Sequence, residues 1–251
     1  MPLSRPQNNR IRLVEMTSPF PSSTQEIWRR LESDAGRPGW NMAVDEALLL
    51  GIAVIGHPVL RYYSWGESAA TFGYSQPIAR VEGMTSLRPL VRRSTGGGLV
   101  PHDADWTYSL VFPPSHPWYS LPAEESYRRL HEWIRDSFTS LGVSVELSPC
   151  CAKELPGQCF AGPEKFDLLW AGHKIAGAAQ RRSRQGLLIQ GSLQRQPTGI
   201  SRSTWEKSFC QTAESLFGIR WEPLEWTAAL NVSADDLERG KYSKSEYNRK
   251  R

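Results

Sequence analysis

Three consecutive glycines, Gly96-Gly97-Gly98, stand mid-chain between stretches that read as β-strands. Glycine gives up more backbone entropy on folding than any other residue, so three together need a reason. One reason is a ligand that comes close to the main chain and meets bare N–H groups. The preceding Arg92 and Arg93 would favour a carboxylate or phosphate at that place. A flexible hairpin turn is the plain alternative. A P-loop is excluded, because no Gly-Lys-Ser/Thr follows the run.

The patterns around the glycines predict a mixed domain. Residues 59–65 (Val-Leu-Arg-Tyr-Tyr-Ser-Trp), 70–74, 90–93 and 105–112 carry the β-branched and aromatic bias of strands. Residues 143–147, 166–170, 174–180 and 186–193 predict further strands, with tight turns at Ala171-Gly172 and at 182–185. Residues 124–141 predict a helix, because Tyr127, Leu130, Trp133, Ile134, Phe138 and Leu141 recur at helical spacing. Shorter helical patterns cover 26–31, 40–50 (capped by Asn41) and 205–217, the last ended by Gly218. Strands crowd the middle and helices lie at both ends and between. That order predicts an α+β fold with a mixed, largely antiparallel sheet flanked by helices. Residues 1–22 predict a flexible lead with one edge strand at Ile11–Val14. Residues 23–222 predict the folded domain, and 223–251 a polar tail that frays from 232 onward.

Bulk composition narrows the function. The chain has 251 residues, 39% hydrophobic, which suits one large domain or two small ones with a real core. A net charge of +4 is too small to argue for nucleic acid, although a mildly basic surface suits an acidic protein partner. No stretch suggests a bilayer span or a secretory leader, so the expected compartment is the cytoplasm, with reduced thiols. The four cysteines, Cys150, Cys151, Cys159 and Cys210, lack the paired spacing of a zinc site.

Four segments in order then carry a family likeness. Asn41-Met-Ala-Val-Asp45-Glu46 opens a helix, with Asp45 and Glu46 read as surface or capping groups. Arg61-Tyr-Tyr-Ser-Trp65 is followed by Thr71-Phe-Gly73-Tyr-Ser-Gln76. Arg92 to Gly98 continues through Leu-Val-Pro-His102-Asp103, and Gly172-His-Lys174-Ile-Ala-Gly177-Ala178-Ala-Gln180 comes last. Together they resemble the biotin/lipoate ligase and octanoyltransferase superfamily over about residues 26–220. The resemblance implies a biotin/lipoate ligase-like catalytic domain with its acyl chain in a tunnel. It implies that Arg92, Gly96, Gly97, Gly98 and His102 line an acyl or substrate site. Gly177 and Ala178 would let the ligand pass, and Lys174 would reach the acyl carbonyl. An ammonium there stabilises the charge that develops in acyl transfer. The plain alternatives are an exposed strand lysine and a satisfied structural histidine.

The superfamily runs two chemistries. Its ligases activate a free acid with ATP and Mg; its octanoyltransferases move an acyl group from a carrier thioester through a cysteine. Cys159, in Gln158-Cys-Phe-Ala-Gly-Pro163 ahead of the lysine strand, is similar to the nucleophile of the cysteine-dependent Gram-positive type. Cys150 and Cys151 are rivals, and Cys210 reads as core packing. The expected function is octanoyl-[acyl carrier protein]:protein N-octanoyltransferase, with the ATP-dependent lipoate–protein ligase as the alternative. The implied donor is acyl carrier protein and the implied acceptor a lipoyl domain or glycine-cleavage H protein. The expected enzyme is a monomer with no cofactor. One departure stands out: Gln190 precedes Gly191 where the family usually has His, which leaves room for a changed donor or acceptor. A carrier-binding scaffold with a degenerate site is the non-enzymatic reading.

Overall fold

The structure is a computed structural model and describes residues 25–151 and 162–250. In chain order the elements are β1 (Glu26–Gly36), α1 (Pro38–Ile55), β2 (Val59–Trp65), β3 (Ala69–Phe72), α2 (Ile78–Glu82), β4 (Leu90–Arg92), β5 (Val100–His102) and β6 (Trp106–Phe112). There follow α3 (Pro117–Ser120), α4 (Ala123–Thr139), β7 (Glu146–Leu147), β8 (Leu168–Trp170), β9 (His173–Ser183), β10 (Gly186–Leu193), α5 (Arg202–Phe217) and β11 (Ile219–Pro223). Helix α6 (Ala228–Leu237), a π-helical turn (Glu238–Tyr242) and α7 (Ser245–Asn248) close the chain.

Eight of these strands form one sheet in the order β11-β1-β2-β6-β10-β9-β8-β7. Strand β1 runs parallel to β2 and β11; every other pairing in the sheet is antiparallel. The parallel β1–β2 pair follows from its connection, because a helix must carry the chain back across the sheet. A small sheet, β4-β3-β5, stands beside it. The α+β expectation is met.

Both faces of the large sheet are covered. On one face Trp133 and Phe138 of α4 and Trp205 and Phe209 of α5 pack on Leu60, Leu110, Leu187 and Ile189. On the other, Val44, Leu48 and Ile52 of α1 and Leu230 of α6 pack on Val59, Val111 and Leu188. Leu187, Leu188 and Ile189 are consecutive and all buried, alternating between the two cores as a strand must. By length and apolarity alone the 18-residue α1 would cross a bilayer, but here most of it is buried against the sheet.

Two sequence expectations fail for physical reasons. Residues 26–31 looked helical but begin β1. Trp28 and Leu31, three apart, are the buried residues of β1 and serve the two opposite cores, which mimics helical spacing. The segment expected to fray from 232 onward is helical and docked. Tyr242 Oη and Lys241 Nζ donate to Glu46 at 2.6 and 2.8 Å, and Asn248 Oδ1 accepts from the Arg92 amide at 2.9 Å. The edge strand expected at Ile11–Val14 lies outside the described residues.

A buried ion pair ties α1 to the sheet. Arg61 of β2 donates to Asp45 Oδ1 at 2.7 Å, and neither side chain is more than 1% exposed. Arg61 also donates to Asn41 O and Oδ1 and to Ser33 Oγ. Asp45 is thus no surface group, and Asn41 is no cap: Arg37 is the N-cap and Pro38 the first helical residue. Arg61→Met should leave Asp45 as an uncompensated buried carboxylate, costing about 3–5 kcal/mol and lowering Tm by roughly 6–20 °C. Thermal unfolding checks this, and an unchanged Tm would refute it.

Candidate active site

The predicted motifs meet at the seam between the two sheets. One cavity is lined by Gly97 and Gly98, by Thr71 and His102 of the small sheet, and by Lys174, Gly177, Ala178 and Gln190 of β9 and β10. Met42 of α1, Tyr127 of α4, Trp65 and Arg93 complete its wall.

The glycines are explained by close approaches. A Cβ on Gly73 would lie 1.9 Å from the Gly97 carbonyl oxygen, so the 96–98 turn rests directly on the end of β3. Gly97 itself takes the left-handed φ of 86°. Arg93 holds the turn from beneath, donating to the carbonyls of Gly96 and Gly98 at 2.8 and 2.9 Å.

Lys174 is aimed by a bulge. Across β8–β9, Leu168 faces Ala176 and Leu169 faces Lys174, so two steps on β9 oppose one on β8. The lysine then lies across Gly177, where a Cβ would come within 2.9 Å of Lys174 Cε and Nζ. Its ammonium pairs with Asp167 Oδ2 at 2.6 Å, and the side chains are 5% and 0% exposed. Asp167 is held in turn by the Tyr127 hydroxyl and by the Glu164 amide at 2.5 Å. Burial pushes the Tyr127 phenol well up, and the Asp167 charge adds to it, so Tyr127 stays a donor. The result is a buried cation whose counter-ion is held in place by Tyr127 and the Glu164 amide.

Behind Tyr127 sits His131, fully buried, with Nδ1 2.9 Å from the Tyr127 carbonyl. Burial depresses its imidazole to about 4, Lys174 adding to this against the opposing pull of Asp167 and the Tyr127 carbonyl. In the unfolded chain the ordinary value is about 6.5. Between those values the unfolded state binds the extra proton, so this histidine destabilises the fold as pH falls from about 6.5 to 4. The loss should be on the order of 3 kcal/mol. Tm of His131→Leu should fall less steeply over that window than the wild-type Tm; parallel profiles would refute the assignment.

Gln190 bridges. Its Nε2 donates to Asp45 Oδ2 at 2.7 Å and its Oε1 accepts from Thr95 Oγ1 at 2.7 Å. Asp45 also accepts from Ser109 and Tyr63. An amide can donate and accept at once, as a neutral imidazole can, so Gln190 makes both bonds without itself titrating.

Residues 37–199 match the profile of the Lipoyl protein ligase A/B catalytic domain. The chain belongs to this family. Among its relatives are proteins named Octanoyltransferase LipM. That of Staphylococcus epidermidis is 33% identical over 182 residues, which are 67% of this chain and 66% of that protein. That of Bacillus subtilis is 34% identical over the same length and shares. That of Exiguobacterium sp. is 35% identical over 234 residues, 85% of this chain and 83% of that protein. The chain therefore spans just under two thirds of the first two relatives. Two solved structures share the fold. Lipoate-protein ligase A bound with ATP gives a TM-score of 0.69 at 21% identity, over 90% of this chain and 98% of that one. A bi-partite lipoate protein ligase of Thermoplasma acidophilum, solved with its E2 lipoyl domain, gives 0.67 at 19% identity, over 89% and 96%.

Within this lipoyl ligase-type domain the predicted residues separate. Lys174, Gly97, Gly98, His102, Gly177 and Ala178 converge on the cavity; Gly96 belongs to the turn but not to the lining. Arg92 points elsewhere. Its guanidinium donates to the Tyr74 and Gln76 carbonyls at 2.7 Å and to the carbonyls of Tyr247, Asn248 and Lys250, stapling the C-terminal helices. Its neighbour Arg93 lines the cavity instead, as the alternation of a strand requires. Cys159 lies outside the described residues. Cys150 and Cys151 are exposed, and Cys210 is buried beside Tyr62, its thiol raised by burial. Asp167, Tyr127 and Thr71 were missed as site residues. Asp167 left a trace as the one acid in Phe166-Asp-Leu-Leu; Tyr127 was hidden in the helical stripe of α4.

Proposed function

We propose that this protein is an acyltransferase acting as an octanoyl-[acyl carrier protein]:protein N-octanoyltransferase. The observation that carries the reading is the buried Lys174 ammonium, fixed by Asp167 beside Gly97 and Gly98. A carbonyl oxygen entering that cavity meets a preorganised cation, which favours the tetrahedral oxyanion over the ground state. The relatives named octanoyltransferase point the same way.

In this mechanism the Cys159 thiolate attacks the octanoyl thioester of acyl carrier protein. A new C–S bond forms, the old one breaks, and the carrier leaves as its thiolate. The exchange is nearly isoenergetic, so neither ATP nor a metal is needed. The acyl-enzyme then meets a lysine of a lipoyl domain or glycine-cleavage H protein, and the amine displaces Cys159 to form the amide. A reactive thiol suits a reducing compartment, and we place the enzyme in the cytoplasm as a monomer.

The test is transfer from octanoyl-[acyl carrier protein] to a lipoyl domain in the absence of ATP. Octanoyl-lysine should form. Product that requires ATP and free octanoate would instead assign the protein to the ligases.

A further inference from the structure

The acyltransferase reading leaves one proton unassigned. When the acceptor amine attacks, its nitrogen must lose a proton, and Lys174, held as an ammonium by Asp167, is in no state to take it. Across the same cavity stands a second polar chain. His102 Nδ1 lies 2.8 Å from Asp105 Oδ2, which also accepts from Thr107 Oγ1 at 2.8 Å and Ser192 Oγ at 2.7 Å. An ionised carboxylate accepts only, so Nδ1 carries a ring proton, and in the neutral imidazole Nε2 is the acceptor. Thr71 Oγ1 lies 2.8 Å from Nε2 and accepts at 2.8 Å from Arg93. With the imidazole neutral, the Thr71 hydroxyl proton then points to His102. Trp65 stacks on the imidazole, centroids 3.8 Å apart, and fixes its plane. Burial alone would raise the Asp105 carboxyl, but the charge His102 carries when protonated, with the hydrogen bonds from His102, Ser192 and Thr107, outweighs it and lowers the group from the ordinary range. Thr71 and His102 both line the cavity that holds Lys174.

We propose that Thr71 and His102, backed by Asp105, form the proton relay that deprotonates the acceptor amine. The order of groups is that of a carboxylate–imidazole–hydroxyl triad, with the hydroxyl passing a proton rather than attacking. As the C–N bond forms, the amine proton passes to Thr71 Oγ1 and the Thr71 proton to His102 Nε2. The C–S bond breaks, Cys159 leaves as its thiolate, and the imidazolium releases its proton to solvent. No oxidant or other co-reactant enters. This rests on the acyltransferase reading above.

The experiment follows two single-turnover steps, loading from octanoyl-[acyl carrier protein] and transfer to a lipoyl domain, in wild type, Thr71→Val and Thr71→Ser. Thr71→Val should lower the ratio of transfer rate to loading rate about 100-fold, and Thr71→Ser should recover most of it. Hydroxylamine, which needs far less help from a base, should still strip the acyl group from the valine variant at close to the wild-type rate. Equal losses in loading and transfer, or a matching loss with hydroxylamine, would make Thr71 structural and overturn the relay. If Thr71→Val does not fold, wild type decides: a solvent deuterium effect on transfer but not on loading is expected, and its absence overturns the relay. If wild type loads only from octanoyl-adenylate, the transferase reading falls, while the same valine-to-serine comparison from the adenylate still decides the relay.

Discussion

Cys159→Ala is expected to abolish octanoyl transfer while leaving Tm near that of wild type. A thiol is the right nucleophile for a thioester donor, because the acyl-enzyme it forms is itself a thioester and still acylates amines. Its thiolate fraction rises beside a cation, and Lys174 is the cation fixed in the candidate site. The other cysteines give a sharp contrast. Cys150 and Cys151 are exposed and Cys210 is buried with its thiol raised, so alanine at each of these three should leave transfer within a few-fold of wild type. Steady-state transfer assays on the four single variants check the prediction. Normal turnover in Cys159→Ala, or a loss confined to Cys150→Ala or Cys151→Ala, would move the nucleophile.

Lys174→Ala should lower kcat about 10²- to 10³-fold with little change in KM for the carrier, the pattern for loss of an interaction made in the transition state. Preorganisation gives the ammonium its effect. Asp167 is pinned by Tyr127 and the Glu164 amide, so it holds the ammonium at no cost when charge develops on the substrate. Removing the lysine also leaves Asp167 as an unpaired buried carboxylate, so the variant should lose about 3–5 kcal/mol of stability. Activity must therefore be read below the variant's own Tm. A rise in KM at constant kcat would assign Lys174 to carrier binding.

Much of the fold was legible where one element meets one environment. Helix α4 is apolar on one stripe and polar on the other, and Tyr127, Leu130, Trp133, Ile134 and Phe138 at helical spacing located it. Strand β2 fell at its observed bounds because Val59 to Trp65 is dense in β-branched and aromatic residues. Legibility failed where each face of a strand contributes one buried residue, as with Trp28 and Leu31 of β1, because two buried positions three apart break the alternation. It failed again where polar residues are buried. Glu46 and Asn248 look like surface groups, yet they anchor the C-terminal helices that the composition suggested would fray.

The site divides the same way. Glycines announce themselves, and Gly97, Gly98 and Gly177 line the same cavity. Partners distant in sequence do not. Tyr127 comes from α4, Asp167 from the loop before β8 and Lys174 from β9, and the β9 bulge and the packing of α4 bring them together. The same holds for Thr71, His102 and Asp105, whose alignment depends on the pairing of β3 with β5.

The most direct test of the transferase account is the intact mass of the wild-type protein after mixing with octanoyl-[acyl carrier protein] and no ATP. The account predicts one octanoyl adduct, discharged by hydroxylamine and absent from Cys159→Ala. An unmodified protein that instead makes octanoyl- or lipoyl-adenylate once ATP is added would contradict it.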